Sequence, residues 1–131
     1  MPRAESEHPT ELELDILKVL WNESPLPVRD VRERLAEAGR PLAHSSVITM
    51  LNIMHRKGFL RRKKEGKSFL FAPKAEREQV TGDMTRDLMS RAFNGSAKAL
   101  VLNLLNSAEL DEEELAEVRR LIARKTKERQ S

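Results

Sequence analysis

The sequence predicts a mostly helical α+β fold: three short helices, a basic two-stranded hairpin, then three further helices. Three observations carry that reading. Apolar residues recur at helical spacing from Leu12 to Met54. The period becomes strand-like between Phe59 and Pro73, and helical spacing returns from Val80 to Ile122.

The first helix starts at a capping box, Thr10 with Glu13 three residues on. Leu12, Ile16, Val19 and Leu20 follow as its apolar stripe until "NESPLP" stops it. Pro27 stands just ahead of a second stripe, Val28, Val31 and Leu35, which Gly39 closes. A third helix is expected from Ser45 to Lys57, terminated by Gly58, with Val47, Met50, Leu51 and Met54 on its apolar face. At about 100° per residue, Ser45, Ile48, Thr49, Asn52 and Arg56 gather on the opposite side. That side lacks the Glu/Lys mixture of a solvated face, and its short hydroxyl and amide groups suit close approach to another surface. "FLRRKK" and "KSFLFAP" then alternate around an expected turn at Glu65-Gly66, and strands this short must pack on the helices.

Charge is concentrated in the same stretch. The whole chain of 131 residues carries a net charge of +3, but residues 1–27 balance at −4, residues 28–72 at +7 and residues 73–131 at zero. A concentrated basic patch is the footprint of a polyanionic partner. Three helices and a basic hairpin make a winged helix-turn-helix over residues 8–74, whose third helix enters the major groove of double-stranded DNA. On this reading Ser45, Ser46, Thr49, Asn52 and Arg56 face the bases, and Arg61, Arg62, Lys63, Lys64 and Lys67 meet phosphates. Asn favours adenine and Arg favours guanine by bidentate geometry, while hydroxyls serve either. Ser45 and Ser46 have a second reading as helix caps, and Arg56 as a solvated helix end that touches phosphate alone.

Beyond Pro73 the sequence predicts a helix over 75–93, mildly interrupted by Gly82, and a short helix in "AKALVLNLLN" that is apolar on more than one face. The last helix opens with Asp111 as cap, Glu114 completing a box, and Leu110 and Leu115 at the staple positions. Residues 1–8 and 126–131 are expected to be loose ends. A helix apolar nearly all round cannot hide its surface in so small a unit, so residues 75–127 are expected to form a homodimer. The interface candidates are Val80, Met84, Leu88, Leu100, Val101, Leu104, Leu105, Leu115, Val118 and Ile122.

Enzymatic classes fit poorly. The chain has no Cys, which removes thiolate metal sites and Cys nucleophiles. His44 and His55 stand eleven positions apart, where two ligands on one helix face need three or four. Glu112 to Glu114 lie in the first turn of a helix, where carboxylates favour the dipole. Neither a phosphate-cradling Gly-rich loop nor a nucleophile elbow is present. No metal or other cofactor is expected. With no signal-peptide pattern and no apolar run near the ~18 residues of a membrane span, a cytoplasmic location is the default.

"TELELDILKVLW", "SSVITMLNIMHRKGFLRRKKEGKSFLFAP" and "FNGSAKALVLNLL", followed by the acidic-capped last helix, together resemble the penicillinase-repressor family, the BlaI/MecI/CopY group, over about residues 10–125. The resemblance implies a homodimeric winged-helix repressor of dyad-symmetric operators. It also implies release through proteolysis triggered by a membrane sensor-transducer metalloprotease system, or through metal in the copper branch, whose C-terminal cysteines this chain lacks. In the family the induced cut follows an Asn, commonly within Val-Leu-Asn-Phe, which corresponds here to Val101-Leu102-Asn103-Leu104 with the bond between Asn103 and Leu104. His44, Ser45 and Ser46 replace the Tyr or Pro and Lys/Thr or Thr-Thr common in the family, and Ile53 lies where Arg is common, so base preference stays open. The alternative is a ligand-sensing winged-helix regulator with an effector pocket between the domains, to which Met84, Leu88 and Met89 would contribute apolar lining.

Overall fold

The computed structural model describes residues 8–131, so most of the expected loose start, residues 1–7, lies outside the described residues. The elements run α1 (Glu11–Asn22), β1 (Leu26–Pro27), α2 (Val28–Glu37), α3 (His44–Lys57), β2 (Leu60–Glu65), β3 (Ser68–Pro73), α4 (Arg77–Ala92), α5 (Ala97–Ser107) and α6 (Glu112–Gln130). Backbone contacts divide the chain into two units between Thr85 and Arg86, inside α4.

In the first unit Thr10 caps α1 as expected: its hydroxyl accepts from the Glu13 amide (3.2 Å), and the Thr10 amide donates to Glu13 Oε1 (2.9 Å). The other Glu13 oxygen accepts from Lys57 Nζ (2.7 Å), although Glu13 is 1% exposed. One carboxylate therefore satisfies the start of α1 and ties it to the last turn of α3. A buried charge is tolerable only when paired and hydrogen-bonded in this way. Arg40 Nε holds Asp15 Oδ2 at 2.6 Å, joining α1 to the loop behind α2. At the far end of α1, Glu23 accepts from Arg34 Nε (3.0 Å), and that bond, with the carboxylate's charge, raises the guanidinium pKa above its ordinary value.

The core takes residues from each predicted stripe and adds Leu17, which the stripe of α1 did not include, while Leu12, Val19, Val28 and Met50 are only partly buried against it. Ile16, Leu17 and Leu20 of α1, Val31 and Leu35 of α2, and Val47, Leu51 and Met54 of α3 are buried against Leu26, Phe59, Leu60 and Phe71. Each fully buried aliphatic side chain of this size contributes about 1.5–3 kcal/mol. Gly58 ends α3 at φ 91°, a left-handed conformation that costs Gly little, and the Phe59 amide reaches back to the Met54 carbonyl (3.0 Å). Trp21 Nε1 donates to the Ala75 carbonyl (2.8 Å) and the Arg77 guanidinium lies 5.3 Å from the Trp21 ring, pinning the start of α4 to α1.

Besides α4, which runs Arg77–Ala92 where the spacing predicts 75–93, four boundaries differ from the sequence reading. The helix α3 begins at His44, because Ala43 takes the extended N-cap conformation and its carbonyl accepts from the Val47 amide (3.1 Å). The hairpin turn is Gly66-Lys67, since Glu65 pairs with Ser68; Gly66 at φ 62° fits the first central position of a type II′ turn. "NESPLP" does more than stop α1: Leu26 and Pro27 form β1, pairing with Phe71 and Leu70 to give an antiparallel sheet of order β1-β3-β2. A proline is admissible there because β1 is an edge strand. Finally α6 continues to Gln130, so residues 126–130 are helical.

In the second unit, Ser96 caps α5 by accepting from the Ala99 amide (3.0 Å), and Asp111 caps α6 by accepting from the Glu114 amide (2.8 Å). Among the described residues the return bond of a capping box is made at Thr10 and not at Asp111. Neither α5 nor α6 buries a residue. Among the described residues no helix is long and apolar enough to cross a membrane.

Candidate nucleic-acid interface

The structure brings three of the ten candidate residues, Asn52, Arg62 and Lys67, to one groove. Ser45, Ser46, Thr49 and Arg56 are exposed on α3 and Asn52 is half-buried. Ser45 and Ser46 sit inside the first turn, past the Ala43 cap, and no side chain caps this helix, so the capping reading of these serines fails. His55, Arg56 and Lys57 occupy the last turn, where positive charge complements the helix dipole.

Strand pleating sorts the wing cations. Arg62 pairs with Phe71 and Lys64 with Phe69, whereas Arg61 pairs with Ala72 and Lys63 with Leu70. Side chains alternate across a sheet, so Arg62, Lys64, Phe69 and Phe71 share one face while Arg61 and Lys63 share the other. The Arg62 face is turned to α3: its Nη1 donates to Asn52 Oδ1 (3.0 Å) and its Cζ lies 4.4 Å from the Phe69 ring centroid. Phe69 in turn stands 6.4 Å from Phe71, tilted by 57°, and Phe71 is core. Arg61 Nη2 reaches the Pro73 carbonyl at 3.5 Å, and Lys67 occupies the turn.

Between α3 and the wing lies a groove of about 590 Å³ lined by His44, Ile48 and Asn52 on one wall and Arg62, Lys67 and Phe69 on the other, with Arg29 from the start of α2. Its lining includes the cations Arg29, Arg62 and Lys67 and the apolar Val28, Ile48, Phe69 and Phe71. The arrangement can bind by charge and hydrogen bond.

The candidate interface residues of the second unit are open in the single chain. Leu88, Val101, Leu104, Leu105, Leu115 and Ile122 are exposed, from 42% at Leu115 to 55% at Ile122, and Leu100 and Val118 are half-buried. In the first unit Met84 is half-buried, and Val80, at 6% exposure, is already covered and has no apolar surface left to offer a partner. Asn103 and Leu104 are exposed within α5, and the Asn103 carbonyl accepts from the Ser107 hydroxyl (2.6 Å).

A model of the penicillinase repressor family matches residues 9–124. The chain belongs to the penicillinase-repressor family. The penicillinase repressor of Bacillus licheniformis is 26% identical over 113 residues, covering 86% of this chain and 88% of that protein. The methicillin resistance regulatory protein MecI of Mammaliicoccus sciuri is 21% identical over 113 residues, covering 86% and 91%. Among solved structures, the chain in the hsRosR-S4 complex superposes with a TM-score of 0.53 at 17% identity, covering 95% of each chain. As a penicillinase-repressor family member with this fold, the protein is a winged-helix transcriptional repressor and not an enzyme.

Sequence reasoning missed the groove in this repressor. His44, Ile48 and Asn52 follow the i, i+4, i+8 spacing of one helical stripe, a signal that was available. Arg29 and Phe69 join them only through the sheet, where β1 leads directly into α2 and Phe69 comes from the strand between β1 and β2.

Proposed function

We propose that this repressor acts by occupancy, a homodimer binding a dyad-symmetric operator with α3 in the major groove and the wing on flanking phosphates. The observation that carries the reading is the opposition, across one groove, of His44, Ile48 and Asn52 on α3 and Arg62 and Lys67 on the wing. A duplex offers base edges and flanking phosphates along one groove, so one docking would engage both. The helical segment 75–127 would pair the two copies by covering the open leucines of α5 and α6. Selection from a random duplex library tests this: an enriched palindrome of two half-sites supports it, and enrichment of a single half-site bound by monomer overturns it.

Derepression would follow cleavage between Asn103 and Leu104 by a membrane sensor-transducer metalloprotease system. A cut there detaches α6 from the first turns of α5, and without linkage each winged domain binds one half-site alone. The carbonyl of the scissile bond is hydrogen-bonded inside the helix, so the protease must act on locally opened repressor. Mass spectrometry of repressor from induced cells should find fragments ending at Asn103. Intact protein after full derepression would overturn this route.

A further inference from the structure

The contact between Arg62 and Asn52 changes what Asn52 can read. A guanidinium carries donors only, so the carboxamide atom 3.0 Å from Arg62 Nη1 must be the oxygen, which fixes the amide orientation. Arg62 is itself held, because its plane rests on Phe69 and Phe69 rests against the buried Phe71. Building on the operator-binding reading, we propose that Arg62 is a positioning residue for base recognition: it occupies Asn52 Oδ1 and presents the Asn52 amide to the groove as a donor.

The base code follows from that orientation. Bidentate reading of adenine needs the carboxamide oxygen to accept from N6 while its nitrogen donates to N7. Arg62 takes one of the two lone pairs of Oδ1 and holds that oxygen beside a cation, so adenine N6 competes with the guanidinium for it, whereas guanine offers two acceptors, N7 and O6, and thymine offers O4 to the free Nδ2 donors. Cytosine sets its N4 donor against the Asn52 donors. The base opposite Asn52 is therefore guanine first, thymine next, and cytosine last. In the same frame Lys64 and Lys67, which among the described residues make no such bond to α3, are left as the phosphate contacts on this side of the wing.

The experiment uses the full chain and the duplex enriched by wild-type protein, with all four bases placed in turn at the position that Asn52→Ala relaxes. Arg62→Ala should alter preference at that same position, raising adenine relative to guanine about 10-fold, within the range one bidentate contact provides. Asn52→Asp keeps a partner for Arg62 but removes the donors, so guanine should fall and cytosine rise. Arg62→Lys, which keeps the charge without the planar stack, should move the base preference in the same direction as Arg62→Ala while leaving the salt slope unchanged. Arg62 is exposed, and circular dichroism checks folding; if Arg62→Ala is unfolded, Arg62→Lys carries the test. Uniform weakening on all four duplexes, with a salt slope lower by about one unit, would make Arg62 a plain phosphate contact and overturn the proposal. So would Asn52→Ala relaxing no position. Failure of wild-type protein to enrich any duplex would overturn the operator-binding reading itself, and this inference with it.

Discussion

The two units of the chain place apolar residues by different rules. Up to Thr85, stripes of three or four residues per helix meet a small sheet and close a core within one chain. From Arg86 onward the sequence holds its most apolar helix, α5, and yet neither α5 nor α6 buries a residue. Apolar content alone therefore says little about burial; the geometry of facing elements decides it. The first unit has elements on several sides of its stripes, while leucines on more than one side of a single helix need a further surface. Stability in the first unit should be independent of concentration, and in the second it should follow mass action.

Breaking that contrast should be easiest in the second unit. Leu105→Asp, or Leu104→Asp, would place a charge in the surface proposed to meet a second copy, and should give monomers with operator affinity lowered more than 100-fold, on the order of 3 kcal/mol. Sedimentation equilibrium checks this, and an unchanged dimer mass with retained folding would refute it. Leu51→Ala should act oppositely: a loss of about 2–5 kcal/mol in unfolding free energy at every protein concentration, read from denaturant midpoints. Lys57→Met should cost about 1–3 kcal/mol, because Glu13 stays buried without its counter-charge; Glu13→Gln combined with Lys57→Met should recover part of that loss. The smallest effect is expected from Lys64→Ala, which should leave stability unchanged and lower the salt slope of DNA binding by about one unit. An unaltered slope would remove Lys64 from the phosphate contacts.

Most of the fold was legible because its signals are local. Thr10 and Glu13 cap, Gly39 and Gly58 terminate, and the stripes of α1, α2 and α3 face the core where their spacing puts them. The strand β1 was not legible: two residues carry no alternation, and Leu26 and Pro27 become a strand only because β3 has a free edge beside them. The start of α3 was misplaced for a related reason, since Ser45 has the better capping side chain but the backbone bends two residues earlier than a cap at Ser45 requires, at Ala43. For the site, the sequence pointed to Asn52 and Arg62 separately and assigned one to bases and the other to phosphate. Their bond depends on strand pairing and on the pleat that turns Arg62 toward α3, neither of which residue types encode alone. That Val80 is covered within the chain was not legible either, because the stripe of α4 does not reveal that its first turns belong to the winged unit.

The joint at Gly58 and Phe59 has a consequence for how such a protein could change its target. Because a two-residue link connects α3 to β2, everything that lines the recognition groove from His44 to Phe71, apart from the Pro27–Arg29 corner, lies on one uninterrupted stretch of about thirty residues. That stretch is a cassette. Exchanged whole between relatives, it would carry its amide orientation and its cations with it, provided Val47, Leu51, Met54, Leu60 and Phe71 keep the shapes that seat it on α1 and α2. New operators would then be reached by replacing a segment, with the helices downstream left as they are.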